Sequence, residues 1–166
     1  MCIAIACPIQ AQKGAISIAA GPLISIPVGL NDTGKPNLKP GAGLVIIGQY
    51  NLSDKGALLL QTSLAAYGNS HLLLNYTGQT IFISSIYGGY KYGLGSAGYF
   101  INGLAGFSSY SIHAISYTDF VVGAGKRITI KEAFFIDAGV DFVFGDTDNR
   151  FNIKAVFSLL RRPKVK

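Results

Sequence analysis

The chain has 166 residues, 49% of them hydrophobic and only 13% charged, with 21 glycines, a net charge of +6 and a mean hydropathy of +0.38. That much apolar side chain excludes a disordered protein, and glycine well above its usual share of about 7% excludes a long-helix or coiled-coil protein, because each glycine weakens a helix interior. The positive charge does not make a nucleic-acid binder, since four of the fourteen cations (Arg161, Arg162, Lys164, Lys166) crowd the last six residues and the rest form no basic stripe.

The composition asks for strands, yet the hydropathy is high for a soluble all-β domain. No segment reads as a membrane-spanning helix, which needs about 20 apolar residues. Gly14 to Asn31 is uncharged but carries Pro22 and Pro27, and Gly56 to Tyr90 is uncharged but broken by Gln61, Asn69, His71, Asn75 and Gln79.

In chain order, residues 1–11 form an apolar stretch with Cys2 and Cys7 that ends in Ala11 before Gln12-Lys13. It resembles the tail of a secretory signal peptide whose basic start is missing, with Ala11 before the cleavage point. A short apolar arm and a lipoprotein signal acylated at Cys7 are the other readings. From residue 12 to 160 the sequence falls into segments of period two, the mark of strands with two unlike faces. Ala15 to Val28 sets Ile16, Ile18, Ile24 and Ile26 against Ser17, Ala19 and Ser25. Ala42 to Leu52 sets Leu44, Ile46 and Tyr50 against Gly43, Gln49 and Asn51, and Gly56 to Ala66 sets Leu58, Leu60 and Leu64 against Gln61, Ser63 and Ala65. Val45, Ile47 and Leu59 break the pattern.

Thr80 to Tyr92 alternates Phe82, Ile86, Tyr90 and Tyr92 with Ser85, Gly89 and Lys91. Gly95 to Phe107 alternates Tyr99, Ile101 and Phe107 with Gly98 and Asn102, and Thr118 to Lys126 alternates Phe120 and Val122 with Asp119 and Gly123. Ala133 to Phe144 is the clearest, with Phe134, Ile136, Val140, Phe142 and Phe144 against Asp137, Gly139 and Asp141. Arg150 to Leu160 closes the series, with Phe151, Ile153 and Phe157 against Asn152, Lys154 and Ser158; residues 161–166 are a basic tail. The second, fourth and sixth links are short (Ser53 to Lys55, Gly93-Leu94, Ile128 to Glu132), the first, third and fifth are longer (Gly29 to Gly41, Tyr67 to Gln79, Ser108 to Tyr117), and Gly145 to Asn149 is a compact last turn. Eight strands with short turns on one rim and longer loops on the other predict an all-β, eight-stranded antiparallel up-and-down transmembrane barrel, short rim periplasmic.

Eight strands enclose a lumen just wide enough to be filled by side chains. The small and polar face therefore belongs inside, where Asp137, Asp141, Lys154, Lys91, Gln49, Gln61 and Asn102 are expected to satisfy one another. The Ile, Leu and Phe face then points out, where it suits lipid and not water. Tyr50, Tyr92, Tyr99 and Phe134 are expected in one aromatic girdle, and Phe82, Phe107, Phe120, Phe144 and Phe151 in the other. A final hairpin pairing Phe144 with Phe151 would set Asp141 opposite Lys154 as an interior ion pair.

The ordered set of segments resembles small eight-stranded outer-membrane β-barrels of Gram-negative bacteria, particularly the porin-family barrels of the Bacteroidetes. The residues that carry it are Ala19-Ala-Gly-Pro-Leu-Ile-Ser-Ile-Pro-Val28, Gly88-Gly-Tyr-Lys-Tyr92, Val122-Gly-Ala-Gly-Lys-Arg127 and Ile136-Asp-Ala-Gly-Val-Asp141. Such barrels usually end on an aromatic residue, whereas this last strand ends Phe157-Ser-Leu-Leu160. The resemblance implies an outer-membrane location, outer-membrane lipids as surroundings, the barrel assembly machinery as a partner during biogenesis, and an unidentified extracellular ligand at the loops.

Motifs for chemistry are sparse. Gly93-Leu-Gly95-Ser-Ala-Gly98 fits G-x-G-x-x-G, but the period-two stretch that follows provides no helix N-terminus for a pyrophosphate, so it reads as a turn. A barrel hydrolase would need a His beside a Ser or carboxylate at one rim. His71 and His113 fall in expected outer loops, Glu132 at the opposite rim, and Asp119, Asp146 and Asp148 have no motif around them. The expectation is a non-enzymatic barrel with no cofactor, no metal and no open pore, acting in structure or surface interaction. The rivals are a soluble lipocalin-like carrier of a small ligand and, behind it, a barrel hydrolase.

Overall fold

The computed structural model describes residues 13–28, 38–69, 80–111, 113–131, 134–145 and 149–160. The expected signal peptide and basic tail lie outside the described residues. Eight strands follow one another: β1 (Ile16–Pro27), β2 (Leu38–Asn51), β3 (Gly56–Asn69), β4 (Thr80–Leu94), β5 (Tyr99–Tyr110), β6 (His113–Lys131), β7 (Phe134–Gly145) and β8 (Arg150–Leu160). Each pairs antiparallel with the next, and β1 pairs with β8, so the sheet closes and leaves no edge.

Paired residues followed once around the wall run from Ile16 through Tyr50, Leu58, Tyr90, Gly103, Val122, Phe142 and Phe151 to Ile26, ten residues further along β1. This stagger tilts the strands and fixes the bore of an eight-stranded barrel at the width of its own side chains. The strand ends Ile16 and Leu160 meet the rim of the 52–55 and 95–98 turns, so both ends of the described wall lie on the short-turn side.

Alternation decides which side chains meet in the bore. Facing out and exposed are Ile16, Ile18, Leu44, Leu60, Leu64, Ile101, Val122, Ile153 and others of their kind, a continuous apolar belt. Tyr50, Tyr90, Tyr92 and Tyr99 stand on this outer surface near the short-turn rim, and Phe82, Phe107, Phe120 and Phe144 near the other. Phe134, at the short-turn rim, stacks on Phe157 with ring centroids 6.4 Å apart. The interior is less uniformly polar than the sequence suggests. Leu23, Val45, Leu59, Leu104, Val121, Val143 and Val156 are buried between the polar clusters, and Leu38, Tyr67, Ile81 and Ile83 are buried towards the long-loop end.

Several strand limits differ from expectation. The fifth connection is a tight hairpin: β5 runs to Tyr110 and β6 starts at His113, with Ser108 opposite Tyr117 and Ser109 opposite Ser116. Serine and tyrosine suggest a loop by composition. Here they continue the ladder, and Tyr110 and Tyr117 pack edge to face, centroids 5.4 Å apart, across the hairpin. The sixth connection is shorter than expected too, because β-branched Ile128, Thr129 and Ile130 extend β6 to Lys131. Gly93 and Leu94 end β4, and the turn is residues 95–98, with Gly95 and Gly98 at φ of 64° and 79°. There a side chain would be strained, and a Cβ on Gly98 would sit 2.6 Å from the Arg127 carbonyl oxygen. The last hairpin sets Phe142 opposite Phe151, two residues from the expected register, so Lys154 faces Gly139 and Asp141 faces Asn152. A shift of two keeps every side chain on its face, whereas a shift of one would have turned the core outward.

Candidate functional site

The buried charges of the described wall lie in the interior, in three clusters stacked along the axis. At the short-turn end, Asp137 accepts two hydrogen bonds from Arg127, Nε to Oδ1 at 2.7 Å and Nη2 to Oδ2 at 2.7 Å, and one from Lys91 Nζ at 2.6 Å. The paired contacts are the fork geometry that suits guanidinium to carboxylate. Lys91 also lies 3.8 Å from the centroid of the Phe100 ring, and Arg127 3.6 Å from that of Phe135.

In the middle, Lys154 donates to Gln61 Oε1 at 2.8 Å and forms an ion pair with Asp141, whose other oxygen accepts from Asn102 Nδ2 at 3.4 Å. Towards the long-loop end, Asp119 Oδ2 accepts from Arg150 Nη2 and from the Tyr87 hydroxyl, each at 2.7 Å, and from Ser108. Ser25 donates to Asn152 at 2.5 Å nearby. The charges of the middle and long-loop clusters are taken from water and must find their partners in the bore.

All six residues singled out from the sequence as an interior network, Asp137, Asp141, Lys154, Lys91, Gln61 and Asn102, are buried inside the wall. The structure divides them between two clusters, Lys91 with Asp137 and the other four together, and adds partners the sequence reading passed over: Arg127, Arg150, Asp119, Tyr87 and Ser108. Their parity was the available signal. Arg127 shares the inward parity of Gly123, Arg150 that of Asn152 and Lys154, and Tyr87 that of Ser85 and Lys91. Asp119, which no motif surrounds in the sequence, is 2% exposed and held by Arg150. His113 begins β6, and His71, Glu132, Asp146 and Asp148 lie outside the described residues.

Space for the middle ion pair comes from Gly123. A Cβ there would lie 2.0 Å from Asp141 Oδ1 and 2.8 Å from Asn102 Nδ2. Gly123→Val is expected to cost about 1–3 kcal/mol, the usual range for overpacking a filled interior, read by urea unfolding in lipid vesicles. An unchanged midpoint would show that Asp141 has another position open to it.

Inside the described wall a cavity of about 100 Å³ opens at the short-turn mouth, and one of about 20 Å³ lies beyond it among Gln49, Lys91, Asn102, Asp137 and Lys154. A closed eight-stranded barrel, ionic and filled inside and apolar outside, is the architecture of a transmembrane β-barrel. No protein-family model matches the sequence, and no curated protein matches it either.

Solved structures do match in fold. The chain is similar to Ail, the attachment invasion locus protein of Yersinia pestis, at 17% identity and a TM-score of 0.64, covering 91% of this chain and 100% of Ail. Ail has also been solved with the heparin analogue sucrose octasulfate. Neisserial surface protein A aligns at 12% identity and a TM-score of 0.67, over 89% of this chain and 99% of its own. The outer membrane protein OprG of Pseudomonas aeruginosa aligns at 11% identity and 0.60, over 92% and 96%. Shared at such low identity, the likeness is one of fold.

Proposed function

We propose that this chain is a non-enzymatic outer-membrane β-barrel that uses its outer loops as a surface for structural or interaction roles and conducts nothing in bulk. The observation that carries the reading is the inverted distribution of side chains: large apolar residues such as Ile18, Leu44 and Phe120 are 60% or more exposed around the wall, while Asp119, Asp141, Arg150 and Lys154 are buried inside it. In water that exterior would drive aggregation; in a bilayer it is the required surface. The two longest connections, residues 28–37 and 70–79, leave the same rim, the one opposite both strand ends. In an outer membrane that rim faces outward and the assembly machinery would insert the barrel from the other side.

The narrower affiliation, with porin-family barrels of the Bacteroidetes, rests on the four glycine-bearing strand segments quoted above. Fold alone does not give a role, and the attachment and heparin-analogue titles belong to Ail. A lipocalin-like carrier needs a ligand cavity of some hundreds of Å³. The bore described here is occupied by its own ion pairs and packed side chains.

Fractionation of a Gram-negative host expressing the chain tests the reading. The protein is expected in the outer-membrane fraction, resistant to carbonate extraction, with protease on intact cells cutting within 70–79 and leaving 52–55 whole. Recovery from the aqueous fraction without detergent would overturn it in favour of the carrier.

A further inference from the structure

The interior clusters are not equally balanced. The middle and long-loop clusters each hold one cation against one carboxylate, but at the short-turn end Lys91 and Arg127 share the single carboxylate of Asp137. The cavity of about 100 Å³ opens beside this unbalanced pair, and Lys55 lines it as a third cation. Among the described residues no carboxylate lines it; Asp54, next to Lys55 in the exposed turn, is not among the lining residues.

A second observation points to the same place independently of charge. Arg127 Nη2 donates to Gln49 Oε1 at 3.2 Å, which turns the Gln49 amide so that its Nε2 donates to Asn51 Oδ1 at 2.6 Å. The Asn51 amide is thereby fixed too, its oxygen engaged and its nitrogen left over. Asn51 lines the cavity, is 1% exposed, and its Nδ2 is buried with no acceptor among the described residues. Flipping the amide would set two donors against each other, so the orphan is a consequence of the relay. A buried donor left without an acceptor costs about 1–3 kcal/mol, and such groups call for an explanation.

The G-x-G-x-x-G segment supplies another wall. Its turn is fastened to β6 by the Arg127 amide donating to the Gly98 carbonyl at 2.8 Å, so Gly95 and Gly98 stand over the cavity. The segment has no helix behind it and is no dinucleotide site; it encloses a space rimmed by donors.

We propose that the short-turn mouth binds a small phosphate-class oxyanion, held by the Asn51 amide, Lys91, Arg127 and Lys55. Donors reaching one space from β2, the following turn, β4 and β6 suit a tetrahedral anion with acceptor oxygens on all sides. With roughly 10–15 Å³ enough for a single water, the cavity of about 100 Å³ has room for one such ion, free or carried on a headgroup that reaches in from the mouth. Set in an outer membrane, this mouth would meet the periplasm and the phosphates of the inner leaflet.

The test is titration of inorganic phosphate into the full chain in maltoside micelles, which carry no phosphate of their own, followed by NMR of the Asn51 side-chain amide and the Arg127 Nε–H. Saturable shifts are expected, weakened at least tenfold by Asn51→Asp, which places a carboxylate where the anion sits and keeps the bond from Gln49. Lys55→Gln, in an exposed turn and harmless to folding, is expected to weaken binding severalfold. Circular dichroism confirms that both variants keep the barrel. In nanodiscs with phosphatidylglycerol, bound-state signals before any phosphate is added identify the lipid headgroup as the source of the anion, and free-state signals that respond to added phosphate identify the soluble ion. Shifts that fail to saturate, or that sodium chloride of equal ionic strength reproduces, would overturn the proposal and leave the cavity to water.

Discussion

Lys154→Met is expected to destabilise the barrel by about 3–5 kcal/mol, the range for leaving one member of a buried pair unpaired. Asp141 is 1% exposed, and its one ion-pair partner among the described residues is Lys154, at 6%. What remains after the substitution is a buried carboxylate that accepts from Asn102, with Gly123 beside it. Met fills the space of the lysine stem, so packing changes little and the loss reports charge. The double change Asp141→Leu with Lys154→Met removes both charges and is expected to recover much of that loss, because two well-packed apolar residues replace a buried ion pair at little net cost. Gln61, whose Oε1 accepts from Lys154, limits the recovery, since it loses that donor in both variants. Urea unfolding of the four proteins of the cycle in lipid vesicles measures the coupling. A coupling energy near zero would mean that each charge finds water by itself.

The pair also shows what a sequence discloses of such a fold. Parity along a strand follows from a period of two and needs no knowledge of the partner, so Asp141 and Lys154 were assignable to the interior from their neighbours alone. Which of them meet across the wall depends on register. Register is set by the links between strands, and the length of the link from β7 to β8 does not follow from composition. The ion pair therefore forms on a diagonal, across a two-residue offset that a lysine side chain spans. Strand ends were hardest to read where serine and tyrosine dominate, as at Ser108 to Tyr117, because those residues serve loops and ladders alike. Asn51 was legible only as an inward polar residue. Its unused donor results from a relay through Gln49 to Arg127, which joins β2 to β6 and exists only once the barrel has closed.

Val140→Arg is expected to cost about 2–4 kcal/mol, the range for a cation placed on the lipid face near the bilayer midplane. Val140 is 39% exposed on the outer surface, between Ala124 on β6 and Ile153 on β8, half-way between Phe134 and Gly145 at the two ends of its strand. An arginine there has no carboxylate to meet among the described residues of the outer face, and both rims are several residues away. Ile136 shares the outward parity, which from the sequence made it equivalent, but it lies two residues from the end of β7 beside Ile128 and Phe157, close to the tyrosine girdle. There the guanidinium reaches the headgroups by extending its stem, so Ile136→Arg is expected to cost only about 0–1 kcal/mol. The two substitutions are chemically similar and differ in depth, so the difference between them measures the membrane and not the residue. Folding equilibria in lipid vesicles give both values. Equal small costs would place the belt in water, and a larger cost at Ile136 than at Val140 would place the bilayer lower on the barrel than its aromatic girdles do.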